Sequence, residues 1–178
     1  MIPPNKRMAF TNYRFPDIPV KSLNIWILAG TISLFLSLTS CDSSVMYDQM
    51  QHVKNSDWNA KDTLFFHFRV TDTLRNYNVG VNVRNSTSYD YQNLYLFITA
   101  VYPGGTYSRD TAECILAAAD GKWYGKGMGK LKDSQFMFRK GVRFRKSGEY
   151  IIAVNQAMRQ QVLKGISDVG IRITESGN

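Results

Sequence analysis

Cys41 is the residue whose surroundings point most directly to chemistry. In Leu38-Thr39-Ser40-Cys41 an aliphatic residue stands three places before the thiol, with small residues between. Small residues let a peptidase approach the backbone, and a cysteine thiolate is a nucleophile able to accept an acyl-glyceryl group. The other thiol, Cys114, lies beside Ile115, Leu116 and three alanines. That setting suits a buried small hydrophobe, with a reactive thiol as the alternative. If Cys41 is modified, Cys114 has no partner within the chain. His52 and His67 are far apart in sequence and give no metal-ligand spacing. Asp110 and Glu113 either pair as carboxylates or simply belong to a turn and strand edge. Gly125-Lys126-Gly127-Met128-Gly129-Lys130 lacks the Walker spacing and a following helix, so it reads as a loop. No nucleophile-elbow sequence is present. Without a convergent polar set, the chain is expected to be no enzyme and to need no metal or cofactor.

The segment ahead of Cys41 explains what its thiol would be for. Leu23–Leu38 is apolar apart from Asn24 and hydroxyl residues, carries no charge, and follows Lys21. At 16 residues it is shorter than the roughly 20 that span a bilayer. A basic flank, a short apolar run and a small-residue ending make a secretory signal. Its last four residues resemble the bacterial lipobox, which predicts residues 1–40 as a lipoprotein signal peptide and Cys41 as the lipidated position. The alternative is an uncleaved anchor helix with an incidental cysteine. The region before the apolar run is long, so Met8 is a second candidate start. Asp42-Ser43-Ser44 forms a polar exit, residues 41–57 read as a tether, and Trp58 marks the entry to a domain over 58–178.

With 44% hydrophobic and 13% aromatic residues the chain has globular composition. Cleavage before Cys41 leaves 138 residues, enough for one full core. Period-2 alternation dominates: Leu64, Phe66, Phe68 and Val70; Val79, Val81 and Val83; Leu94, Leu96 and Ile98; Phe136 and Phe138; Tyr150, Ile152 and Val154; Ile171 and Ile173. Turn residues punctuate these runs, as at Pro103-Gly104-Gly105 and Lys146-Ser147-Gly148. The pattern predicts an all-β fold, an antiparallel, jelly-roll-like β-sandwich. One short helix is expected at Gln156–Lys164, terminated by Gly165.

The net charge of +8 is unevenly placed. From Asp42 to Asp120 nine acids face six bases, whereas Lys122–Lys146 holds nine bases and one acid. Arg139, Lys140, Arg143, Arg145 and Lys146 surround Phe138, Val142 and Phe144. An exported chain rarely meets nucleic acid, and none is expected as a partner. Anionic headgroups, an acidic protein partner, or a solvated hairpin face remain. Asp62-Thr63-Leu64, Asp72-Thr73-Leu74 and Asp110-Thr111-Ala112 share the form Asp-Thr-apolar. This looks like an O-glycosylation signal of exported Bacteroidota proteins, on Thr63, Thr73 and Thr111; Asp-Thr also commonly opens a strand after a turn. Tyr89, Tyr91, Trp123 and Tyr124 either stack on a glycan or serve as core and corner residues.

Several segments together carry a resemblance. They are Trp58 with Asp62-Thr63-Leu64-Phe65-Phe66, Tyr77-Asn78 leading to Val83-Arg84-Asn85, and Tyr89-Asp90-Tyr91-Gln92-Asn93-Leu94. Asp110-Thr111, Gly121-Lys122-Trp123-Tyr124-Gly125 and Gly148-Glu149-Tyr150 follow, then Gln156-Ala157-Met158-Arg159 and Leu163-Lys164-Gly165-Ile166-Ser167-Asp168-Val169-Gly170-Ile171. In this order, after a lipobox, the chain resembles the GldH family of gliding-motility lipoproteins of Bacteroidota. The resemblance implies an envelope lipoprotein associated with the machinery that secretes and moves surface adhesins, with other gliding or secretion proteins as partners. It implies no catalytic residue. The single acid after Cys41 favours a periplasm-facing location. A machine subunit is expected to show a contact surface and an aromatic-poor cleft; a glycan-binding lipoprotein, the competing reading, is expected to expose a coplanar aromatic pair.

Overall fold

A computed structural model of the chain describes residues 44–177. The expected signal peptide, Cys41 and the first residues of the tether lie outside the described residues. Where apolar and polar residues alternate, strands form and bury the apolar set. Strand β3 (Leu64–Val70) buries Phe66, Phe68 and Val70 and exposes Phe65, His67 and Arg69. The other strands are β1 (Val45–His52), β2 (Asp57–Asn59), β4 (Tyr77–Ser86), β5 (Asn93–Val101), β6 (Tyr107–Ile115), β7 (Leu131–Val142), β8 (Gly148–Gln156), β9 (Val162–Lys164) and β10 (Ile166–Glu175), with one 3-10 turn at Lys54–Ser56.

All pairings are antiparallel. One sheet has the order β1-β10-β4-β7, the other β3-β8-β5-β6, and β2 and β9 form a separate ribbon. With β1, β4, β7 and β10 in one sheet and β3, β5, β6 and β8 in the other, the strand order is that of a jelly roll. The inner faces meet in one core, and the described residues make a compact unit that contains that core entirely.

Two expectations need correction. No helix forms at Gln156–Lys164. Gln156 ends β8 and is buried; its Nε2 donates to the Gln160 carbonyl at 2.7 Å, and its Oε1 accepts from the Met158 amide at 2.8 Å. The Ala157 amide donates to the Tyr95 carbonyl, and the Gln161 carbonyl accepts from the Ala60 amide. Groups that an α-helix would pair internally are therefore committed to neighbouring strands. The segment read as tether also folds: Val45–His52 is an edge strand in register with β10, from Val45 opposite Thr174 to His52 opposite Asp168. Gly170 permits this approach, since an added Cβ there would sit 2.7 Å from the Gln49 carbonyl oxygen.

One end of the sandwich is sealed. It lies where β1 and β4 end and β10 begins. The β2–β9 ribbon places Trp58 opposite Leu163, both fully buried, and the Trp58 indole donates to the Asp62 carbonyl at 3.1 Å. Tyr89 and Leu116 are buried with them, and the Tyr89 hydroxyl donates to the Asn93 carbonyl at 2.9 Å. Gly165 (φ +92°) turns the chain tightly here; a Cβ on it would meet Tyr89 Cα at 3.0 Å.

Candidate functional site

The opposite end of the sandwich is open. There β5 ends in the turn Tyr102–Thr106, and β7 passes to β8 through Arg143–Ser147. Between the sheets lies a cavity of about 440 Å³, open to solvent. Phe68 from β3, Val79 from β4, Ile98 from β5 and Tyr150 and Ile152 from β8 form its floor, with Phe144 beside them. These six keep 3–7% of their surface exposed, whereas Val81, Leu96 and Val154 keep 0%. The cavity therefore reaches into the core. Its floor is a connected set of rings: Phe68 stacks on Tyr150 at 5.6 Å, and Phe144 meets Tyr150 edge-on at 5.0 Å and Tyr77 at 5.3 Å. A machine subunit was expected to have an aromatic-poor cleft; this cleft is aromatic.

Polar groups around the cavity are largely satisfied by one another. The Tyr102 and Ser108 hydroxyls share a hydrogen bond at 2.6 Å, and the Tyr150 hydroxyl donates to the Lys146 carbonyl at 2.8 Å. Arg139 is ion-paired with Asp110 of β6 and lies over the Phe138 ring at 5.1 Å. A bulge explains its aim: Met137 pairs with Gly80 and Arg139 with Val79, so Phe138 is an extra residue in β7. Arg143 uses Nε to donate to the Thr73 carbonyl at 3.0 Å, leaving its terminal amines free of that bond. Among the described residues no carboxylate lies within ion-pair distance of Arg143, Arg145 or Lys146, all exposed at the cavity mouth. Lys140 is exposed on β7 outside the cavity. The structure thus divides the basic segment: Arg139 bridges the two sheets, and Arg143, Arg145 and Lys146 rim an apolar opening. β1 begins at this same end, because Val45 pairs with Thr174, Thr174 with Asn78, and the Asn78 side chain accepts from the Gly141 amide.

The remaining candidates lie elsewhere. Cys114 is buried on β6, and burial pushes its thiol up to about 12. His52 meets Asp168 at 3.2 Å on the outer face of the first sheet, beside Arg84. Among the described residues no three side chains converge as metal ligands. Thr63 is half-buried and its hydroxyl accepts from Asn155 at 2.6 Å; Thr73 is half-buried; Thr111 is exposed on β6. Asp72 accepts from the Leu74 amide in a turn, and this bond first of all holds its carboxyl below the usual range. The coplanar pair expected of a glycan platform is not formed by Tyr89 and Tyr91, which meet at 64°, with Tyr89 buried. Burial also raises the Tyr89 hydroxyl's pKa. The sequence reading missed Phe68, Tyr102 and Tyr150 as site residues; the aromatics interleaved with the basic run were its one visible signal.

Comparison with known proteins adds to this geometry. Two solved structures have slight likeness: infectious bursal disease virus Gx strain (17% identity, TM-score 0.33) and dimeric latent PorU from Porphyromonas gingivalis (9%, 0.33). Each match covers 78% of this chain but only 35% and 14% of theirs, too distant to bear on function. The gliding motility lipoprotein GldH homolog of Christiangramia forsetii is 33% identical over 164 residues, 88% of this chain and 98% of that protein. The gliding motility lipoprotein GldH of Flavobacterium johnsoniae is 31% identical over 163 residues, again 88% and 98%. No helix among the described residues is long and apolar enough to cross a membrane. The family model for GldH lipoprotein matches residues 45–173, from the first strand to the last, and the chain belongs to that family of gliding-motility lipoproteins.

Proposed function

We propose that this lipoprotein is a non-enzymatic component or assembly factor of the gliding machinery and its associated protein secretion. It stands on an envelope membrane through a lipid on Cys41, faces the periplasm, and turns the open end of its sandwich toward the headgroups. One observation carries this reading: β1 starts at the end where Arg143, Arg145 and Lys146 have no acidic partner among the described residues. The four residue steps from Cys41 to Val45 span at most about 14 Å. A lipid on Cys41 thus holds those cations near the bilayer, where each contributes about 1 kcal/mol against an anionic surface. Machine partners meet the sides and the sealed end, and Thr111, the exposed member of the three Asp-Thr motifs, is the first choice for a glycan.

The test is affinity purification of the tagged protein from envelopes, wild type against Cys41→Ala. Gliding or secretion proteins recovered with the wild type and lost with the variant support a tethered machine subunit. Recovery of none with either discards it. Reversing Arg143, Arg145 and Lys146 to Glu should weaken membrane retention of the folded protein, and unchanged retention would sink the assignment of the basic end.

A further inference from the structure

We propose that the open-end cavity is a binding site for one anionic amphiphile, an acyl chain ending in a carboxylate or phosphate. The chain lies against Phe68, Ile98, Phe144 and Tyr150, and the anionic end meets Arg143, Arg145 and Lys146. The site deepens the membrane-facing reading and rests on it only for the source of the ligand.

Size is the first argument. The cavity of about 440 Å³ is roughly three times the ~150 Å³ that accepts a single benzene, and it falls within the ~300–1,000 Å³ of small-molecule sites. One inserted side chain would leave it mostly empty. A second argument is wall chemistry. Tyr102 with Ser108, and Tyr150 with Lys146, have already paired their polar groups. The floor therefore offers a ligand apolar contact and few hydrogen bonds, which excludes a sugar and favours a hydrocarbon body. The rim supplies the third argument. Asp110, the acid lining the cavity, is already neutralised by Arg139, while three cations at the mouth have no acidic partner among the described residues. A guanidinium accepts a carboxylate or phosphate in two parallel bonds, and Arg143 keeps its terminal amines for this. The Tyr102–Thr106 turn and the Arg143–Ser147 connection flank the opening, and a chain entering end-on fits it better than an extended peptide.

The experiment titrates the folded segment Asp42–Asn178, whose core is complete in itself, with dodecanoate and dodecyl phosphate below their micelle concentrations. Saturable one-to-one binding is expected, with dodecanol and inorganic phosphate each at least tenfold weaker. Ala100→Trp obstructs the cavity from β5 and should weaken dodecanoate binding at least tenfold; Ile98→Phe is the second obstructing variant, should the first not fold. Replacing Arg143, Arg145 and Lys146 by Ala should reduce dodecanoate to the level of dodecanol. Absence of saturable binding overturns the proposal, as does binding that ignores both obstructing variants. Tighter binding of a peptide of alternating aspartate and phenylalanine overturns it in favour of a protein ligand. Vesicles containing phosphatidylglycerol identify the source: if Ala100→Trp also weakens vesicle binding, the chain comes from a bilayer lipid, and if only monomer binding falls, from a free fatty acid. The titration contains no Cys41 lipid and no partner. Its failure therefore leaves the machine-subunit reading standing, and failure of the envelope purification leaves the cavity standing.

Discussion

The two ends of the sandwich are built from the same alternating strands and have opposite characters. At the sealed end an accessory ribbon, β2 with β9, presses Trp58 and Leu163 over the core and removes them from water. At the open end no such ribbon exists among the described strands, and the gap between the sheets is walled by rings that touch one another without filling it. Stability is therefore concentrated where apolar burial is complete, and binding capacity where it is not. Arg143, Arg145 and Lys146 rim the end that lacks a lid.

Substitutions can break or sharpen this contrast. The largest loss is expected at the sealed end: Trp58→Ala should cost about 5 kcal/mol, the upper part of the range for emptied aromatic sites. Phe144→Ala at the open end removes a ring that already borders solvent, and should cost no more than about 3 kcal/mol. Urea unfolding of both variants checks the pair, and equal losses would erase the distinction between the ends. Arg139→Ala should change stability by less than about 1 kcal/mol, because its pair with Asp110 is half-exposed. A double-mutant cycle with Asp110→Ala isolates that value. The smallest effect belongs to Cys114. Burial raises its folded-state pKa from 9.0 to about 12, so the folded state holds the proton more tightly. Its contribution is full below pH 9 and is lost as pH rises from there toward 12. At neutral pH the thiol should resist alkylation until the protein unfolds; brisk labelling of the folded protein would show that β6 opens.

Much of this architecture was legible in the residues. Strands with one buried face, such as β3 and β10, announce themselves because burial on one side forces alternation. The edge strands do not. Val45–His52 is only partly covered, and seven of the nine residues of β6 from Tyr107 to Ile115 are exposed, all but Ala112 and Cys114; half-solvated edges place weak demands on side chains. Met158, Val162 and Leu163 have spacing compatible with a helix, yet the backbone there serves Tyr95, Ala60 and β2, which no local pattern reports. The basic run was visible, but the cavity it rims was not. Phe68, Tyr102 and Tyr150 come from distant stretches of sequence that only the jelly-roll topology brings together. Cys41 remains a reading of sequence alone.

The placement of β1 also has a mechanical meaning. Ladder bonds in an antiparallel pair run perpendicular to the strands, and β1 holds β10 along Val45–His52. A load between the tether and the sealed end pulls along β1 and stresses the whole ladder at once, as in shear. A load between the tether and the C-terminal end of β10 pulls apart neighbours at Val45 and Thr174 and peels the ladder one bond at a time. Single-molecule extension from attachment points at Ser88 and at Glu175, each against the N-terminal side, should give the higher rupture force for Ser88. Equal forces would mean that β1 does not bear the load.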